Sequence, residues 1–307
     1  MNRFLMNRFC LPVVATGVFL SCAGCAQRAS DAETMQTAQA APSAPKVETH
    51  AGLNSTLWVQ TAVEARVSSL QAYKLASLQL DAALKNKSWT ASTEQAARPV
   101  KEWHRLPPAI LLDIDETVLD NSPLQARLVK KGMDYDSMEF GQWVYEAQAK
   151  AIPGSVAFVN AARKKGIKIF YISNRARNEE AATQKNMQRV GLLKTISDDQ
   201  VLSRFEKVSW QSDKTSRRRF IADKYRVLML VGDDFNDFVT GAKTSLEERE
   251  KLMLRHQKMW GEKWIVIPNP LYGSWEGSVL DFNYERTPDE QLKEKYSELD
   301  TLEIPEP

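Results

Sequence analysis

Between Ala109 and Asn269 the chain alternates two kinds of segment, and that alternation limits the fold more than any other feature. Short apolar runs, "AILLDID" (109–115), "IKIFYIS" (167–173), "RVLMLVGDD" (226–234) and "WIVIPN" (264–269), are separated by stretches with helical spacing. "SVAFVNAARKKG" reads as a helix stopped at Gly166, and "NEEAATQKNMQRVG" as one closed at Gly191. Glycine at such a position supplies the left-handed backbone that ends a helix. Near-continuous apolar runs belong to strands covered on both faces, and a strand–helix–strand order makes them parallel. The expected fold is therefore α/β, a parallel sheet with helices on both faces. Upstream, Val59, Val63, Val67, Leu70, Tyr73, Leu80 and Leu84 recur at multiples of three or four, which predicts one long helix over 55–85.

Three of the apolar runs end in polar groups: the first in Asp113 and Asp115, the second in Ser173, the third in Gly232-Asp233. Ligands of open parallel sheets bind beyond the carboxyl ends of the strands, so these endings converge on one edge. Asp113 and Asp115 are two residues apart, and in extended chain both side chains point the same way. Asp237, in "VGDDFNDF", adds a further carboxylate. Carboxylates gathered beside a core are costly unless paired or bound to a metal. With no histidine or cysteine close by, oxygen-only donors favour a hard cation such as Mg²⁺. The competing reading has these acids capping the helices that follow the strands. Capping explains one acid per turn and leaves the convergence unexplained.

The amino-terminal segment carries a different signal. Arg3 and Arg8 are its only charges, an apolar run follows from Phe9 to Leu20, and "SCAGC" comes next. This is the layout of a secretory signal, with an apolar run too short to span a bilayer. Small residues before a cysteine resemble a bacterial lipobox, so residues 1–24 are expected to be a lipoprotein signal peptide and Cys25 the lipidated residue, with Cys22 as the alternative. Cys10, Cys22 and Cys25 are the only cysteines, so the exported chain would hold no disulfide. Residues 25–52, poor in aromatics and rich in Ala, Gln, Ser and Pro, read as a flexible tether before a single domain over 53–307. Removing Arg3 and Arg8 lowers Lys+Arg from 41 to 39, equal to the 39 Asp+Glu. A neutral domain argues against a nucleic-acid polymer as partner.

"DIDET", "YISNR", the lysine of "DKTSRR" and "GDDFNDF" resemble, in order, the four motifs of the haloacid dehalogenase (HAD) superfamily. The paired aspartates at both ends, the lipobox, "ETVLDNSP" and "YGSWEG" narrow the likeness to its class C acid phosphatases, the bacterial outer-membrane lipoprotein e and 5'-nucleotidase family. The resemblance implies a Rossmannoid sheet with a small, mainly helical cap built from about 53–105 and 120–153. It implies an Mg²⁺-dependent acid phosphatase acting on phosphate monoesters, nucleoside 5'-monophosphates among them. Asp113 would be the nucleophile that forms an aspartyl-phosphate, and Asp115 the acid and base that serves the leaving oxygen and then water. The metal would be held by Asp113, by the main-chain carbonyl of Asp115 and by Asp233, with Asp237 holding a metal-bound water or Lys214. Ser173, Asn174 and Lys214 would bind the phosphate, with Lys207 and Arg217 as rivals for the lysine's part.

Trp143, in the insertion after the first strand, and Tyr272, in the late motif, are candidates to sandwich an aromatic leaving group; the competing reading makes them core, as Trp275 is read to be. Two further functions remain open: phosphotransfer to alcohol acceptors, and nucleotide binding without turnover. No Gly-x-Ser-x-Gly, Gly-x-Gly-x-x-Gly or Walker loop occurs. The expected partners are a small phosphomonoester and, through the lipid, a membrane. By lipoprotein sorting habits Ala26 after Cys25 points to the outer membrane of a bacterial envelope, with the inner membrane as the alternative. The oligomeric state is left open, a homodimer included.

Overall fold

The computed structural model describes residues 50–196 and 199–302. The expected signal peptide, Cys25 and the tether up to residue 49 lie outside the described residues. Among the described residues seven strands form two sheets: β1 (Pro108–Leu112), β2 (Leu119–Asp120), β3 (Lys150–Ala151), β4 (Lys168–Ala176), β5 (Val201–Arg204), β6 (Arg226–Gly232) and β7 (Trp264–Val266). The main sheet is parallel, in the order β5-β4-β1-β6-β7, with β1 at its centre. Parallel neighbours need crossovers. Helices Ser155–Lys164, Glu180–Arg189, Thr215–Ala222 and Leu246–Arg255 supply the four that follow β3, β4, β5 and β6.

Burial of both faces is written in the period-two alternation of the strands. Ile110 and Leu112 of β1, with Ile169 and Tyr171 of β4, face one apolar cluster that also contains Tyr73, Leu80, Phe158 and Val159. Ala109 and Leu111, with Phe170 and Ile172, face a second cluster containing Ile221, Ala222 and Phe238. Helices therefore cover both faces, as the apolar runs require.

Three local expectations are corrected. The first strand ends at Leu112, although the Asp113 amide continues its ladder by donating to the Val231 carbonyl at 2.9 Å. β5 was not foreseen, because "VLSR" offers only two apolar residues to an edge strand. The long amino-terminal helix is two helices, Leu53–Thr61 and Val63–Lys85, separated by Ala62 in an extended conformation. Its buried face is Ser69, Tyr73, Ala76, Leu80 and Ala83, whereas Val63, Val67 and Leu70 are exposed. Small residues at 69, 76 and 83 let this face approach the sheet, and a count of apolar residues overlooks them.

The chain between β2 and β3 leaves the sheet layer and returns. β2 and β3 pair antiparallel, Leu119 with Ala151 and Asp120 with Lys150. Between them lie helices Ser122–Lys131 and Ser137–Glu146. Gly132, at φ +65°, closes the first helix. Asp136 caps the second, its carboxylate accepting from the amides of Met138 and Glu139.

Candidate active site

The carboxyl ends of β1 and β6 bring Asp113, Asp233 and Asp237 together, with one carboxylate oxygen from each lying within 4.8 Å of the others. Asp113 follows β1 directly. Asp233 follows β6; its Oδ1 accepts from Thr117 Oγ1 at 2.8 Å and its Oδ2 from Asn269 Nδ2 at 2.8 Å. Asp237 closes the 3-10 turn Phe235–Asp237 and folds back over Gly232, its Oδ2 accepting from the Asp234 amide at 3.0 Å. A Cβ on Gly232 would overlap the Asp237 carboxylate, so only glycine fits at the end of β6. Lys214, just ahead of helix Thr215–Ala222, donates to Asp113 Oδ1 and, at 2.6 Å, to Asp237 Oδ1.

Three clustered carboxylates, two buried and one half-buried, have a single ammonium group among them, paired to Asp113 and Asp237, and their proton affinities show the imbalance. Burial raises the Asp113 carboxyl, Lys214 opposing it and Asp115 adding to it. Asp233 is held well above its ordinary range by burial and then by Asp113 and Asp237. Asp237 is pushed up to about 7, again by burial first, with Lys214 resisting. Burial disfavours charge on Lys214, yet Asp113 and Asp237 more than offset this and tighten its hold on its proton. Fully ionised, the group carries two negative charges too many. A hard divalent cation fits both the deficit and the all-oxygen donor set.

Beside this cluster Asp115 is held by a second network. Its Oδ1 accepts from Arg175 Nε at 3.0 Å, Arg175 Nη2 at 2.8 Å and Asn121 Nδ2 at 2.8 Å. Its Oδ2 has the Ser173 hydroxyl at 3.4 Å. Glu116 takes the left-handed conformation, at φ +55°, and its amide donates to the Leu119 carbonyl at 2.8 Å. A non-glycine residue there stores on the order of 1 kcal/mol of strain, a trait of functional loops. The Glu116 carboxyl is buried and is pushed up to about 8, by burial first and then by Asp115. It accepts from Asn121 and from the Tyr272 hydroxyl.

The model of the HAD superfamily, subfamily IIIB (Acid phosphatase), matches residues 27–275. This chain belongs to subfamily IIIB. It also superposes on the class C acid phosphatase of Bacillus anthracis with a TM-score of 0.71 and 35% identity, over 82% of this chain and 98% of that one. The structure of the same enzyme with tungstate bound gives a TM-score of 0.71 at 34% identity, with the same coverage. Among curated sequences it is similar to the stem 28 kDa glycoprotein of Glycine max, 25% identical over 53% of this chain and 58% of that protein. It is also similar to acid phosphatase 1 of Solanum lycopersicum, 25% identical over 53% of this chain and 57% of that protein. The chain thus spans a little over half the length of these curated relatives.

Within this subfamily IIIB chain the remaining expected residues are placed as follows. Ser173 is fully buried, its hydroxyl between Asp115 and the Arg175 amide. The side chain of Asn174 is committed at both ends, donating to the Ser212 carbonyl at 3.1 Å and accepting from Arg217 Nη2 at 2.7 Å. Of the rival cations, Lys207 lies 3.6 Å from the Phe220 ring centre, while Arg217 holds the loop by donating to the Ser173 carbonyl. The stacking expected of Trp143 is corrected. Its ring is 3% exposed in the apolar core, with its indole N–H donating to Asn121 Oδ1 at 2.7 Å. Tyr272 is half-buried and tied to Glu116, whereas Trp275, read as core, is exposed.

Glu116, Thr117, Asn121, Arg175 and Asn269 were not singled out by the sequence reading. The first three lie inside the stretch from Asp113 to Pro123, so the signal was present as polar residues packed into one short loop.

Proposed function

We propose that this chain is an acid phosphatase that hydrolyses phosphate monoesters through an aspartyl-phosphate on Asp113, at a site loaded with Mg²⁺. The observation that carries this reading is the placement of Asp113: at the end of the central strand, paired to Lys214, and inside a carboxylate cluster two positive charges short. The Asp113, Asp233 and Asp237 carboxylates would hold the ion, with the Asp115 main-chain carbonyl added by the family pattern. When bound, Mg²⁺ would neutralise charge between the Asp113 carboxylate and the phosphoryl dianion. The tungstate complex of the Bacillus anthracis enzyme supports a site for tetrahedral oxyanions.

The steps follow from the side chains. An Asp113 oxygen attacks phosphorus while the ester P–O bond breaks. Asp115 gives its proton to the departing oxygen and then takes one from the water that attacks the aspartyl-phosphate. That second attack breaks the bond to Asp113 and frees phosphate. Lys214 and Ser173 donate to the phosphoryl oxygens, where positioned donors do most of the work of phosphoryl transfer. The insertion 120–153 acts as the cap over this site, whereas helix Val63–Lys85 covers a face of the sheet and residues 89–98 bond near the start of β6. Nucleoside 5'-monophosphates are the substrates we favour, with the Tyr272 ring beside the leaving group. Phosphotransfer to an alcohol uses the same groups with a different acceptor. Lipid on Cys25 would anchor the domain at the outer membrane, since several acyl chains hold firmly where one does not.

The test is phosphate release from a nucleoside monophosphate and from an aryl phosphate, with and without EDTA, by the parent and by Asp113→Asn. Chelation should abolish release, Mg²⁺ should restore it, and Asp113→Asn should lose at least about 10⁴-fold in kcat. Turnover that survives either treatment refutes the reading.

A further inference from the structure

Asn121 is fully buried, and its side-chain amide is used to capacity. Oδ1 accepts from Trp143 Nε1 at 2.7 Å and Arg175 Nη2 at 3.3 Å. Nδ2 donates to Asp115 Oδ1 at 2.8 Å and to Glu116 Oε2 at 3.0 Å. Indole and guanidinium groups can only donate, and the Asp115 and Glu116 oxygens that meet the Asn121 NH2 are placed as acceptors. The four partners therefore dictate which end of the amide is which: turned over, it would set an NH2 group against the donors of Trp143 and Arg175 and an oxygen against two accepting carboxyl oxygens. The consequence falls on Asp115. Its Oδ1 is saturated by three donors, from Asn121 and Arg175, while Oδ2 has only the Ser173 hydroxyl at 3.4 Å.

We propose that Asn121 is a positioning residue for proton transfer, holding Asp115 so that Oδ2 is the oxygen that gives and takes the proton, and that Trp143 of the insertion fixes the Asn121 amide in the sense this requires. The inference deepens the reading of Asp115 as acid and base given above and rests on it. Asn121 touches neither the ester nor the phosphorus; it acts through Asp115. As the ester P–O bond breaks, the proton leaves Asp115 Oδ2 and ends on the departing alcohol oxygen. The buried indole of Trp143 then has a role other than stacking: it links the helix Ser137–Glu146 to the orientation of the acid.

The experiment compares kcat/KM, which reports the steps up to departure of the alcohol, for 4-nitrophenyl phosphate and 2-glycerophosphate. The aryl leaving group departs without help from a proton, whereas the alkyl one needs the acid. Four proteins are measured: the parent, Asn121→Ala, Trp143→Phe and Asp115→Asn. A mispositioned acid forfeits part of the general-acid contribution, so Asn121→Ala should lose about 10- to 100-fold on the alkyl ester and under about threefold on the aryl ester. Trp143→Phe, which keeps the ring and removes the donor, should show the same split at smaller size, and Asp115→Asn the same split at larger size. Equal losses on both esters in Asn121→Ala and Trp143→Phe, with Asp115→Asn still discriminating, overturn the proposal and leave the acid in place. An Asp115→Asn protein that does not discriminate overturns both. Should Asn121→Ala fail to fold, Trp143→Phe decides by the same criterion.

Discussion

Replacing Glu116 by Gln should remove the pH dependence that this one residue gives the fold. Its carboxyl lies near 8 in the folded protein against 4.5 for an ordinary glutamate. The folded state therefore holds the proton more tightly than the unfolded state does. Stability from this group is intact below pH 4.5, falls as pH rises and the unfolded chain ionises first, and levels off above pH 8. Each unit of difference is worth about 1.4 kcal/mol, so the full span sets a ceiling of about 5 kcal/mol. Relaxation and water entry reduce that, and we expect at least about 2 kcal/mol to remain. Glutamine keeps the shape and never ionises. Its amide nitrogen replaces one acceptor of Asn121 Nδ2 or of the Tyr272 hydroxyl, at a cost of about 1 kcal/mol for a lost hydrogen bond. The two stability curves should cross: Glu116→Gln is the weaker protein below pH 5 and the stronger above pH 8. Urea denaturation of both proteins at half-unit steps from pH 4.5 to 9, in EDTA, measures the difference free of the other carboxylates, which titrate in both. A difference that stays constant with pH would show that Glu116 is ionised throughout and that burial does not govern it.

Two further outcomes follow from single contacts. Gly232→Ala puts a methyl group where the Asp237 carboxylate sits; it should lower kcat about 10²- to 10³-fold, as loss of one charge-organising group does, with the circular dichroism spectrum unchanged. Arg226→Met takes donors from the carbonyls of Ala83, Leu84 and Asn86 at the end of helix Val63–Lys85; it should cost about 2–4 kcal/mol in urea denaturation while leaving kcat at low temperature near the parent's.

The sheet was legible wherever a strand is covered on both faces, because such strands are written as unbroken apolar runs. Val201–Arg204 lies at the edge and carries no such run, so its place had to come from pairing with β4. The carboxylates were legible for an energetic reason: acids at the ends of apolar strands demand a partner. The residues that orient them were not. Asn121 in "LDNSP" reads as turn chemistry and Arg175 in "SNRAR" as a surface cation. Each is 2% exposed or less, a fact created by the fold and by no local pattern. Trp143 shows the same limit, since a large ring at helical spacing has one appearance whether it packs inward or lines a pocket.

The two-residue strands β2 and β3 make the insertion a detachable module. Every connection of the main sheet is complete without it, so evolution can lengthen, shorten or exchange what stands between Asp120 and Lys150 without rebuilding the scaffold. A polar condition travels with any graft: it must return a hydrogen-bond donor to Asn121 where the indole stood. Natural variants and designed chimeras alike would be filtered by that requirement, and by the need to refill the core that Leu124, Leu128 and Trp143 share with the sheet, before their new surface was ever tried on a substrate.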